Sequence, residues 1–298
     1  MLPAPGSATE RPLPDWAAGQ PRAALQALLL LGAWDPGAQS AEDELLLGLL
    51  GCDGPTLTAL CQAGQQAGVS RLEQKRRSRS RSGTSGQIWD WTDVQASWRA
   101  LAPLLDGPAC DRFAEVCKAT LQGQGSPRLR SGIVLSLARL GNSDGLIAVE
   151  PRPSQRAAQL VQEALPPVLA RWHDLADLLT RLAEAAPEAF LACVEYTLSP
   201  PAGSVVIWRS EPQTQDEPTI FAISRALGLL ALDVSLLPQV TLLLARLAAY
   251  CQPSKSNQRT GHPVHTLEEI FDPRWPKTNA TIEERLNALE PLNQQVPS

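Results

Sequence analysis

Leucine is the commonest apolar residue in this chain, and it recurs at intervals of three and four residues, the spacing that gathers side chains on one face of an α-helix. Leu25, Leu28 and Leu29 predict a first helix that ends between Gly32 and Pro36. Leu45, Leu46 and Leu49 predict a second, with Ser40 as its N-cap, and Leu57, Leu60, Cys61 and Gly64 predict a third. The period then changes. From Val69 to Arg77, and again over QIWDWT with Ile88, Trp89 and Trp91, the pattern is that of two strands joined by a polar Ser/Gly-rich turn. Three short helices followed by a two-stranded hairpin is the order of a winged-helix domain, with the wing over 69–92.

From Val94 onward the helical period returns. Apolar residues at i, i+3, i+4 and i+7 predict helices over 94–105, 109–121, 128–140, 155–170, 172–184, 187–198, 218–232 and 237–250. Leu175, Leu178, Leu179 and Leu182 form one inward face; Val240, Leu243, Leu244 and Leu247 form another. The linkers are short and carry Gly, Pro or Asp, which predicts antiparallel neighbours. The expected class is mainly α. A loose segment at 1–18 precedes a winged-helix-like domain at 19–106, and an irregular, solenoid-like helical-repeat array fills 107–298. No strict repeat length is visible, so a compact helical domain competes with the array. The stretches 199–218 and 251–265 read as connections too polar and broken for helix, and Thr266 with Glu269 and Thr281 with Glu284 read as capping boxes opening two terminal helices.

Composition narrows the function classes. The 298 residues are 44% hydrophobic and 19% charged, with a net charge of -5 and a pI near 5.3, which argues against a surface wholly designed for nucleic acid or anionic lipid. No run of eighteen apolar residues occurs and the start lacks the plan of a secretory signal, so a cytoplasmic chain with no membrane partner is expected. Six cysteines stand singly, without a CxxC pair, and are expected to be buried free thiols.

Catalytic signals are weak. Gly141-Asn142-Ser143-Asp144-Gly145 fits G-x-S-x-G, yet that elbow needs a strand before the serine, and here a helical LARL precedes it, with Gly141 where a C-cap glycine belongs. His173, His262 and His265 lack a metal-site neighbourhood, since Pro263 predicts a loop between the last two. Nucleotide-cradling glycine motifs are absent from the sequence. The chain is therefore expected to be no enzyme and to need no cofactor or metal. Two binding candidates remain. Lys75, Arg76, Arg77, Arg79 and Arg81 at the tip of the wing could follow a phosphate backbone, although the third helix has no basic residue between Gly54 and Ser70 with which to read a groove. Trp208 beside Val206 and Ile207, inside a polar connection, is a candidate protein contact, whereas Trp89, Trp91 and Trp98 are expected in a hydrophobic joint.

Read together, WDWTDVQASWRALAPLL, DRFAEVCKATL, APEAFLACVEYTL, ALGLLALDVSLLPQVTLLLARLAAY and HTLEEIFDPRWPKTNATIEERLNAL resemble the region downstream of the ATPase in large bacterial STAND-type P-loop NTPases, over roughly residues 85–290. The resemblance implies a winged-helix joint and a ligand-sensing helical array in signalling or antiviral defence. Its partner would be an ATPase subunit or a sensed protein. The ATPase motifs themselves have no counterpart in this chain.

Overall fold

The computed structural model describes residues 13–36, 40–74, 87–199, 217–250 and 261–295, and among them the chain is mainly helical. Contacts divide it into two compact units, 1–136 with 143–153 and 137–142 with 154–298.

The first unit is built around α1 (Arg22–Leu31), whose residues from Ala24 to Leu31 are all buried, as in a helix packed on every side. Arg22 and Gln26 in its first turns donate to the Leu104 carbonyl, which ends a 3-10 turn at Ala102–Leu104. Helix α2 (Ala41–Leu50) opens with a full capping box. Ser40 accepts from the Asp43 N–H, and the Asp43 carboxylate accepts from the Ser40 N–H and also from the Ser126 N–H at 2.8 Å. Its buried stripe is Leu46, Leu47 and Leu50, while Leu45 and Leu49 are 71% and 46% exposed, unlike the stripe read from the sequence. In ELLLGLL nearly every position is apolar, so packing against α1 and α5, not the local pattern, selects the inward face.

Helix α3 (Gly54–Gln66), capped by Asp53, buries Leu57, Leu60, Cys61 and Gly64 as expected. Strands β2 (Ser70–Gln74) and β3 (Gln87–Trp91) pair antiparallel, and a two-residue strand β1 (Ala33–Trp34), too short to read from sequence, joins the other side of β3. Gly64 is required there: a Cβ would lie 2.9 Å from the Ser70 hydroxyl, which donates to the Cys61 carbonyl. Trp89, Trp91 and Trp98 are buried, the last from α4 (Val94–Leu101), and Trp91 lies 6.1 Å from Trp16. Helix α5 (Gly107–Leu121), capped by Asp106, packs on α2, and α6 (Pro127–Gly141) brings Gly132 against the Leu31 carbonyl. By contacts, α5 and most of α6 belong to the first unit.

In the second unit, α7 (Pro153–Ala164) stops ahead of Pro166-Pro167 instead of continuing to 170. The single helix expected over 172–184 is two, α8 (Leu169–Asp174) and α9 (Leu179–Ala185). Ala176 and Leu178 bond three residues back at the break, yet Leu175, Leu178, Leu179 and Leu182 are all buried. Helix α10 (Pro187–Leu198) places Phe190 edge-on to Trp172 at 6.0 Å. Helix α11 (Glu217–Leu230) packs on α9, and α12 (Leu237–Tyr250) on α10 through a fully buried Val240, Leu243, Leu244 and Leu247. Helix α13 (Pro263–Phe271) covers α11 and α12; α14 (Ile282–Asn287) and α15 (Glu290–Gln295) follow.

Two readings of this region need correction. Thr266 is no N-cap: it is buried inside α13, which begins with Pro263 at its first turn and His262 as cap, since a proline that breaks helix interiors is suited to that position. The stretch read as a connection to 265 accordingly ends earlier. The box at Thr281 and Glu284 forms as expected. Among the described residues no single helix is long and apolar enough to cross a membrane.

Candidate functional site

Lys75, Arg76, Arg77, Arg79 and Arg81 lie outside the described residues, as do Val206, Ile207 and Trp208. Gln74, which ends β2, precedes the basic run, and β3 begins at Gln87. The exposed side of α3 presents Ala59, Gln62, Gln65 and Gln66 and no cation.

Ser143 is not displayed as a nucleophile. It follows α6 rather than a strand, is 2% exposed, and accepts a 2.8 Å hydrogen bond from the Trp98 indole N–H. Gly141 is the last residue of α6 and has no left-handed φ; its small size is demanded by the Ala185 carbonyl, 2.0 Å from where a Cβ would stand. The expected cap is thus a close helix approach. His173 pairs through Nδ1 with the Thr219 hydroxyl at 3.1 Å, but that hydroxyl belongs to a fully buried residue. His262 accepts from the Val264 N–H and meets Phe221 edge-on. His265, read as part of a loop, sits on α13 within 3.6 Å of Glu268 and 3.5 Å of Glu269. No cluster of three or more metal-ligating side chains occurs among the described residues.

Burial raises the Cys61 thiol to about 12 and pushes Cys117 higher still, while Cys52 and Cys193 are only half-buried, against the expectation of full burial. Cys251 lies outside the described residues.

What the sequence pattern did not reveal is a half-open cleft of about 700 Å³ in the second unit. One wall is a single face of α11, where Phe221, Arg225, Gly228 and Leu229 follow at helical spacing, with Leu232 just beyond the end of the helix. The opposite wall is the Thr266, Glu269 and Ile270 face of α13, and Lys277 and Thr180 close the sides. Gly228 keeps the walls close, since a Cβ there would meet the Thr266 methyl at 2.9 Å. Lys277 donates to Glu269, whereas the exposed Arg225 makes no ion pair or hydrogen bond among the described residues.

Several large apolar side chains of the same unit are exposed among the described residues, and three of them are the most exposed. Trp275 is 84% exposed, and Ile282 and Leu286, one turn apart on α14, are 67% and 61% exposed. Their segment is firmly held. Asp272 accepts from the Trp275 and Arg274 N–H groups, which hold its carboxyl below the usual range, and Thr278 donates to the Ala231 carbonyl. Arg285, itself buried, donates to the Asp272 carbonyl.

The chain matches no protein-family model, and comparison with curated proteins and with solved structures found no match. The signal that could have located the cleft is the α11 run FAISRALGLL, in which a lone arginine and a single glycine interrupt an otherwise apolar face. Trp275 could have been singled out by its neighbours, because Pro273 and Pro276 bracket it outside any helix.

Proposed function

We propose that the chain is a non-enzymatic interaction module whose second unit docks a protein partner through Trp275, Ile282 and Leu286. The observation that carries this reading is their exposure on a segment fastened by the Asp272, Thr278 and Arg285 hydrogen bonds. A backbone already held in place lowers the ordering cost when a partner covers its apolar side chains, and tryptophan is enriched among the residues that anchor such contacts. The order α1-β1-α2-α3-β2-β3, with sheet order β1-β3-β2, supports a winged-helix reading of the first unit. Together with the helices that follow, it fits a joint-and-sensor role beside an ATPase of the bacterial STAND type.

The experiment replaces Trp275 or Leu286 with a photo-crosslinking residue in the native cells, with exposed Gln159 as the reference position. One protein should be captured from both 275 and 286, lost on Ile282→Ser, and absent from 159. The same products at all three positions, or none at 275 and 286, would refute the docking role.

A second reading is favoured by one observation: the antiparallel register from Ser70 opposite Trp91 to Gln74 opposite Gln87 brings together the two ends of the segment holding the basic run. Duplex DNA held there would be gripped by phosphate contacts alone, because α3 offers no cation.

A further inference from the structure

We infer that the cleft between α11 and α13 is a binding site for a small amphipathic anion, an apolar body of aryl-alkanoate size carrying one carboxylate. The volume of about 700 Å³ lies within the range of small-molecule sites, roughly 300–1,000 Å³. Phe221, Leu229, Leu232 and Ile270 supply an apolar floor that would take the hydrocarbon part out of water.

The charges select the headgroup. Glu269, the one carboxylate of the lining among the described residues, is engaged at Oε1 by Lys277 and faces His265 at 3.5 Å, so its charge already has a cationic partner. Arg225 is left as an exposed guanidinium with no carboxylate within ion-pair distance among the described residues. It lies on the same face of α11 as Phe221, one turn away, so a ligand lying along that face would meet the aromatic ring and the cation together. A guanidinium presents a planar fork of donors that matches a carboxylate at both oxygens. Among the described residues the lining charges are one carboxylate and two cations, a net positive charge that disfavours a cationic headgroup and favours an anionic one over a neutral one. The site shares no residue with the Trp275, Ile282 and Leu286 surface and does not depend on it.

The test measures calorimetric binding of 5-phenylpentanoate, its neutral amide, and phenylacetate to the full chain, the Arg225→Gln variant and the Lys277→Gln variant. The acid should bind saturably at one site, at least fivefold tighter than the amide and several-fold tighter than phenylacetate. Arg225→Gln should remove the preference for acid over amide with an unchanged melting temperature. Absence of saturable binding by all three compounds overturns the site. Equal affinity of acid and amide for the native chain, or a preference that survives Arg225→Gln and disappears in Lys277→Gln, overturns the assignment of the headgroup to Arg225.

Discussion

Gly132 and Gly48 allow the packing of the first unit to be tested with one substitution made twice. Both are helical glycines without a left-handed φ, so alanine should gain about 0.5–1 kcal/mol at either from backbone entropy alone. At Gly48 nothing lies within 4 Å of the added Cβ, and the gain should appear undiminished. At Gly132 the Cβ would stand 2.5 Å from the Leu31 carbonyl oxygen, about 0.9 Å inside ordinary contact at 3.4 Å. That oxygen belongs to the backbone at the end of α1, among fully buried neighbours, and cannot swing aside as a side chain would. Overpacking of this kind costs about 1–3 kcal/mol, so Gly132→Ala should be destabilised by a net ~1–2 kcal/mol. The two variants should differ by about 1.5–3 kcal/mol, with opposite signs relative to the native chain. Urea unfolding followed by tryptophan fluorescence reads this directly, since Trp89, Trp91 and Trp98 are buried in the same unit. A midpoint for Gly132→Ala at or above that of the native chain would show that α6 does not approach α1 as described.

Ser143→Ala should destabilise by about 1–2 kcal/mol, because the buried Trp98 N–H loses its acceptor, and a fluorophosphonate probe should leave the native chain unlabelled; labelling of Ser143 would reverse the reading of G-x-S-x-G. Burial raises the Cys61 and Cys117 thiols above their ordinary value of 9.0, so their contribution is complete below pH 9 and is lost as pH rises toward 12; stability should fall steadily over that window, and a flat urea midpoint between pH 9 and 11 would contradict their burial. Cys52 and Cys193, half-buried, should react with a thiol reagent well before either of them. If the basic run grips duplex DNA, affinity should fall steeply between 50 and 200 mM salt, vanish when Arg76, Arg77, Arg79 and Arg81 become alanine, and show no sequence preference; absence of binding at low salt removes that reading.

Some features follow from local sequence because the interactions that fix them are local. Ser40, Asp53, Asp93, Asp106 and Thr281 cap helices because each side chain meets N–H groups two or three residues away, whatever packs elsewhere. The apolar stripe of α3 likewise announces its inward face through a clear contrast with polar neighbours. That contrast is missing in ELLLGLL, where the exposure of Leu45 and Leu49 was decided by the direction from which α1 and α5 arrive. The strand at Ala33–Trp34 exists only because β3 lies beside it, and Gly132 and Gly141 are required only because the carbonyls of Leu31 and Ala185 come from distant parts of the chain. The cleft belongs to the same class. Arg225, Glu269 and Lys277 are unremarkable surface residues in the sequence, and they become one site because α11 and α13 stack, a long-range contact that no periodicity within either helix encodes.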